Sequence, residues 1–131
     1  MTQRIETETC IFELRDDGIL YCTTKPDARE EHAQAEQNVA AIDKLCAEKH
    51  WPMLSDIRNL RSQSREARAL YAASPIATAV ALIVPNPVSR VIGSFYLGLN
   101  KPSVPTKLFK SEAEARVWLA EHPGIPRSTR A

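Results

Sequence analysis

At 131 residues with a formal net charge of +1, the chain has room for one domain around one core, and its charge offers no case for a nucleic-acid or membrane partner. Its 44% hydrophobic and 25% charged residues match an ordinary soluble globular protein and exclude a disordered chain. No apolar run approaches the roughly 18 residues of a membrane span, so stable membrane insertion is not expected.

Residues 1–8 form a polar lead-in without an apolar signal core, which points to a cytoplasmic location. Cys10, Cys22 and Cys46 are odd in number and form no CxxC pair, so they read as buried free thiols in a reducing compartment. Cys10-Ile11-Phe12-Glu13-Leu14 reads as a strand. Asp16-Asp17-Gly18 supplies the positive φ of a tight turn, and residues 19–23 return as a second strand.

Pro26-Asp27 predicts the start of a long helix, with Asp27 as cap and Glu30 as its capping-box partner. Ala35, Val39, Ile42 and Cys46, widened by Leu45, form the stripe that faces the sheet. Lys49 and His50 suit the negative helix end, and Pro52 forbids continuation. Residues 52–57 predict a short strand and residues 58–63 a loop. Ser64 is a natural N-cap for a helix through Tyr71 that buries Ala67, Leu70 and Tyr71.

Residues 78–109 read as a strand–helix–strand crossover. The continuous apolar run 79–84 has the character of a strand buried on both faces, and Pro85-Asn86-Pro87 stops it. Asn86 caps the next helix, Pro87 takes its first position, and Val88, Ile92, Phe95 and Leu99 form its stripe. Gly93 and Gly98 weaken that helix by up to about 1 kcal/mol each, which points to close packing on the sheet or against another subunit. Residues 105–109 predict the last strand. Ser111-Glu112-Ala113-Glu114 is a capping box for a helix that turns Ala115, Trp118 and Leu119 inward. Residues 125–131 read as a mobile basic tail.

The order is β-β-α-β-α-β-α-β-α. It predicts a single α/β domain with its core at about residues 9–122: a five-stranded, mixed, mostly parallel sheet with one antiparallel edge strand and about four covering helices.

This order resembles the SpoIIAA-like (STAS-like) fold of anti-sigma-factor antagonists. The runs NPVSRVIGSFYLGLNKPSVPTKLFKSEAEARVWL and PMLSDIRNLRSQSREARALYA are similar to uncharacterised bacterial proteins described as STAS/SEC14-like domains, a resemblance that covers about residues 9–120. STAS antagonists share a strand-end Asp followed by an Asp-Ser-Ser-Gly helix start whose serine is phosphorylated. Asp56 matches the strand-end Asp. The helix start here is Arg61-Ser62-Gln63-Ser64-Arg65, so Ser62 and Ser64 are positional stand-ins only.

In an open α/β sheet, ligands and partners gather beyond the carboxyl ends of the strands. The segment 56–68 lies there, with Asp56, Arg58, Arg61, Arg65 and Arg68, and Asn86, Ser89 and Arg90 leave the next strand at the same edge. Arginines and free helix amides suit an anion, and phosphate on Ser62 or Ser64 would sit at a favourable helix end. The competing reading is solvated arginines, a structural Asp56 salt bridge, Ser64 as a plain cap, and an ordinary strand-to-helix turn at Asn86.

No phosphate-binding glycine pattern, nucleophile elbow or metal-ligand spacing is present, and His32, His50 and His122 are far apart in sequence. No cofactor, metal or catalytic residue is therefore expected. The expected function is a non-catalytic regulatory module that binds a protein partner through residues 56–68 and the edge near Asn86, as the resemblance to STAS antagonists implies. The alternative is a small-molecule or lipid-binding carrier of SEC14-like type, although the chain reads as too poor in unpaired apolar surface for a lipid-lined cavity. An enzyme is the third class. Homodimerisation through the glycine-bearing helix or the strand edges is a further expectation.

Overall fold

Two antiparallel pairings open the sheet in the computed structural model, which describes residues 3–86 and 102–126. β1 (Gln3–Glu6) lies beside β2 (Cys10–Leu14), and β2 lies beside β3 (Leu20–Thr24) with Phe12 opposite Cys22. The Asp16-Asp17-Gly18 turn joins β2 to β3, with Gly18 at φ 77°, a conformation that glycine enters without a Cβ penalty. Asp17 fixes the turn by accepting the Ile19 N–H and the Tyr21 hydroxyl, the latter at 2.6 Å.

A short strand β4 (Ala28–Glu30) precedes helix α1 (His32–Cys46). β5 (Lys49–His50), β6 (Met53–Asp56) and β7 (Leu60–Gln63) follow, then helix α2 (Arg65–Ala73). β8 (Val80–Ile83) and β9 (Thr106–Phe109) lead to helix α3 (Glu112–Leu119) and β10 (Ile125–Pro126). The main sheet has six strands in the order β1-β2-β3-β6-β8-β9, with β3, β6, β8 and β9 mutually parallel. Two small ribbons sit outside it, parallel β4–β7 and antiparallel β5–β10.

Both faces of the sheet are covered. Phe12, Leu20, Cys22, Met53 and Val80 point towards a core shared with Ile42 and Leu45 of α1. Ile19, Tyr21, Leu54, Ala81 and Ile83 point the other way, onto Ala115 and Leu119 of α3. Neighbours in sequence thus serve opposite faces, as the two-residue period of a strand requires. The run 79–84 is buried on both sides of β8, in keeping with its uninterrupted apolar character.

Several expectations need correction. The main sheet has six strands rather than five, because residues 3–6 of the polar lead-in pair as β1. An edge strand needs backbone pairing and not an apolar face, and only Ile5 of β1 is half-buried, so periodicity carries no signal there. One strand, β2, runs against the rest as expected, but it is not at the edge, because β1 lies outside it and runs in the direction of β3. The first helix starts at His32, not after Asp27, and Gln34 rather than Glu30 accepts the backbone N–H of its first cap residue, Glu31, at 3.0 Å. Asp27 stands at φ 59°, and Ala28-Arg29-Glu30 pairs with residues 60–63, which are strand rather than loop. Lys49 and His50 pair with Ile125 and Pro126 instead of capping a helix. Three helices are present among the described residues. The predicted helix on Val88, Ile92, Phe95 and Leu99 lies outside them, as do Gly93 and Gly98.

Candidate ligand cavity

The β4–β7 pairing places Glu30 opposite Gln63. Along β4 the burial alternates, with Ala28 and Glu30 inward and Arg29 outward, so the strand period itself carries a carboxylate inside. On α1, Asn38 falls on the inner stripe between Ala35 and Ile42. On α2, Arg68 and Tyr71 are three residues apart and therefore neighbours on one helix face.

These residues meet at the wall of a cavity of about 450 Å³, bounded by the face of the sheet that carries Phe12 and Met53 and by α1 and α2. Most of the wall is apolar, with Phe12, Ile42, Met53, Val80, Leu82 and Leu108 contributing. Its polar part comes from Glu30, Asn38, Gln63, Arg68 and Tyr71, with Cys10, Cys22 and Ser55 nearby.

Glu30 is the centre of that polar part and only 4% exposed, so protein groups rather than bulk water must satisfy it. Its Oε2 accepts from Thr9 Oγ1 at 3.0 Å, Asn38 Nδ2 at 3.0 Å and Cys10 Sγ at 3.5 Å. Its Oε1 accepts from Gln63 Nε2 at 2.9 Å. All four donors are neutral. Asn38 in turn accepts from Thr7 Oγ1 at 2.6 Å, and its amide nitrogen lies 2.8 Å from the Tyr71 hydroxyl oxygen. Arg68 Nη1 donates to the Gln63 carbonyl at 3.0 Å, which holds the guanidinium at the cavity wall.

Burial pushes the Tyr71 phenol far up, and the nearby Glu30 charge adds to the shift. The Cys22 thiol is also pushed well up, first by its hydrogen bond with Cys10 and then by burial. Both groups are neutral at physiological pH. None of the three cysteines is in a disulfide and all are buried, in agreement with the sequence reading.

The sequence profile of DUF7793, described as a domain of unknown function, matches residues 12–123. The chain belongs to the DUF7793 family. An uncharacterised protein of the DUF3478 family from Shewanella loihica PV-4, described as having a SpoIIAA-like fold, is 16% identical to this DUF7793 chain. The match covers 91% of this chain and 92% of that one with a TM-score of 0.57, and it shows the SpoIIAA-like fold expected from the sequence. A protein of unknown function from Arthrobacter sp. fb24 is 38% identical over 83% of this chain and 97% of its own, with a TM-score of 0.35. No curated protein matches.

The DUF7793 fold divides the residues predicted as a site. Asp56 ends β6 and accepts from Arg58 Nε at 2.9 Å, Arg58 Nη2 at 2.7 Å and the Arg58 N–H at 3.1 Å. The Arg58 guanidinium holds the Asp56 carboxyl below the usual range, and the pair is a local structural bridge at the cavity rim. Arg61 is exposed, 3.8 Å from Asp27, and Arg65 is exposed on α2, whereas Arg68 turns to the cavity. The four arginines therefore do not converge. Ser64 Oγ accepts the Ala67 N–H at 3.1 Å as a helix cap, and Ser62 is exposed on β7. Asn86 is exposed beyond β8, and Ser89 and Arg90 lie outside the described residues.

Among the described residues no three His, Cys, Asp or Glu side chains could hold a metal. His32 lies 3.3 Å from Glu36, and His122 packs on Trp118. No helix among the described residues is long and apolar enough to cross a membrane. The chain carries more unpaired apolar surface than the sequence reading allowed, gathered in the cavity between the sheet and the helices. Its lining is drawn from segments that never adjoin in sequence, so no single run reveals it.

Glu30, Asn38, Gln63 and Tyr71 were not legible as a site. One signal was available: Asn38 interrupts an otherwise apolar helix stripe, and a polar residue there must find buried partners.

Proposed function

We propose that this DUF7793 protein binds a small amphipathic molecule in the cavity and performs no chemistry on it. The observation that carries the reading is the volume of about 450 Å³ with an apolar wall and a polar end at Glu30, Asn38 and Tyr71. That size falls in the range of about 300–1,000 Å³ common to small-molecule sites, which pair apolar walls with a few placed polar groups. The raised pKa values of Cys22 and Tyr71 support a binding rather than a catalytic role for these two groups, since a neutral thiol and a neutral phenol are poor nucleophiles and poor bases. The test is native mass spectrometry on protein isolated from its own host without detergent, beside a Leu82→Trp variant whose indole fills the cavity. A bound mass on the natural protein that is missing from the folded variant supports the reading. An apolar dye binding equally to both proteins, with no bound mass on either, sinks it.

Docking of a protein partner, as in STAS antagonists, is the second reading. The exposure of Arg58, Arg61 and Arg65 favours it. Capture of a partner that survives Leu82→Trp and is lost in Arg61→Glu with Arg65→Glu would replace the cavity reading. Gly93 and Gly98, on which one of the two expected routes to self-association rests, lie outside the described residues, and the other route is the strand edges.

A further inference from the structure

We propose that the cavity's ligand is an amphipathic organic acid, whose carboxylate accepts from the Tyr71 hydroxyl and the Arg68 guanidinium while its hydrocarbon lies along Ile42, Met53 and Leu82. The inference rests on the cavity-binding reading and deepens it by assigning the polar head.

The assignment comes from an account of donors and acceptors. Glu30 has two oxygens, and both are occupied: Oε1 by Gln63, and Oε2 by Thr9, Asn38 and Cys10. The Asn38 amide has two hydrogens and lies within bonding distance of Thr9 Oγ1, Cys10 Sγ, Glu30 Oε2 and Tyr71 Oη. It can serve no more than two of them well, and it has no donor left for a ligand. Its carbonyl oxygen is taken by Thr7. Tyr71 differs from these groups. Its oxygen accepts from Asn38, and its own O–H hydrogen remains to be given.

Tyr71 lines the cavity, and so does Arg68 one turn earlier on the same face of α2. One donor and one guanidinium thus present themselves side by side to the cavity. Arg68 Nη1 is oriented by the Gln63 carbonyl at 3.0 Å, so the guanidinium does not have to be ordered on binding. A hydroxyl donor beside a guanidinium is the arrangement that recognises a carboxylate by charge-assisted hydrogen bonds.

An ammonium head is the competing choice, because Glu30 is the one carboxylate deep in the wall among the described residues. It fits less well. An amine reaching Glu30 would displace Asn38 or Gln63 from it, and each displaced amide would become a buried group without a partner. It would also bring a second positive charge next to Arg68. An acid leaves the Glu30 network intact. Its charge is opposed by Glu30 and favoured by Arg68, and the Glu30 carboxylate is already held by four hydrogen-bond donors, with Asn38 between it and Tyr71.

The test is isothermal titration of the ligand-stripped full chain with decanoate, decanol and decylamine, which share one hydrocarbon tail. Decanoate is expected to bind about tenfold or more tighter than decanol, the range of a hydrogen bond to a charged group. Tyr71→Phe and Arg68→Met are each expected to weaken decanoate about tenfold while leaving decanol unchanged, and both keep the apolar body of the side chain. Equal binding of decanoate and decanol overturns the acid assignment and leaves the cavity reading standing. Preference for decylamine that disappears in Glu30→Gln also overturns it, in favour of an amine. No binding of any of the three to a protein shown by circular dichroism to be folded overturns both readings together.

Discussion

The Asn38 side-chain amide of α1 lies 2.8 Å from the Tyr71 hydroxyl oxygen of α2, and the same nitrogen lies 3.0 Å from Glu30. One buried amide therefore ties two helices and a β4 carboxylate together at the polar end of the cavity. Asn38→Leu would keep much of the volume and leave Glu30 and Tyr71 each short of a partner. The expected cost is about 2–3 kcal/mol, since an orphaned buried polar group loses its full solvation. Urea unfolding at neutral pH measures it. Asn38→Leu at Tyr71→Phe should cost less than the sum of the two single changes, because the pair shares one bond.

How much of this was readable beforehand follows from which links carried a periodic signal. The hairpin turned on Asp16-Asp17-Gly18, the two-faced strand around Val80 to Ile83 and the Ser64 cap each depend on neighbours in sequence, and each was legible. The polar centre depends on Thr9, Glu30, Asn38, Gln63 and Tyr71, which come from five separate segments. In the sequence Glu30 has the character of a capping residue, because a glutamate near a helix start is usually on the surface. Only the pairing of β4 with β7, between residues some thirty positions apart, turns it inward. The arginines of residues 58–68 are dense in sequence, yet Arg58 is held by Asp56, and the strand and helix periods of β7 and α2 divide Arg61 and Arg65 from Arg68, between solvent and cavity.

The Asp56–Arg58 bridge predicts a specific pH dependence. Arg58 depresses the Asp56 carboxyl first through its side chain and then through its backbone N–H. A carboxyl whose folded pKa is lowered contributes stability above its unfolded pKa of about 3.9, and that contribution disappears as pH falls through the folded value. Arg58→Ala is therefore expected to lower stability by about 0.5–1 kcal/mol at neutral pH, the range of a half-exposed bridge. The gap between natural protein and variant should close in acid, below the folded Asp56 pKa. Thermal melts of both across the acid range decide it. A gap that stays constant assigns the loss to the packing of the Arg58 stem at the cavity rim.

Gly124 predicts a steric effect away from the cavity. A Cβ built there would lie 2.8 Å from Trp51 Cε3, closer than packed atoms tolerate, and 3.2 Å from the His50 carbonyl oxygen, a tight contact. The β5–β10 ribbon holds that approach by pairing His50 with Ile125. Gly124→Ala must shift the indole or open the ribbon, at an expected cost of about 1–3 kcal/mol. Trp51 fluorescence should change with the midpoint of denaturation, and decanoate affinity should not, since Trp51 does not line the cavity.

Ser62 and Ser64 separate a structural hydroxyl from a free one. Ser64 Oγ satisfies the Ala67 N–H at the start of α2, so Ser64→Ala removes a cap worth about 1 kcal/mol. Ser62 is exposed on β7, and Ser62→Ala is expected to stay within about 0.5 kcal/mol of the natural protein. The cap has a further consequence because α2 carries both Arg68 and Tyr71. Fraying its first turn loosens Arg68 more than Tyr71, which lies three residues further along. Ser64→Ala should therefore weaken decanoate binding in a folded protein, and Ser62→Ala should leave it unchanged. Equal decanoate affinity in both variants would show that the α2 cap does not set the position of Arg68.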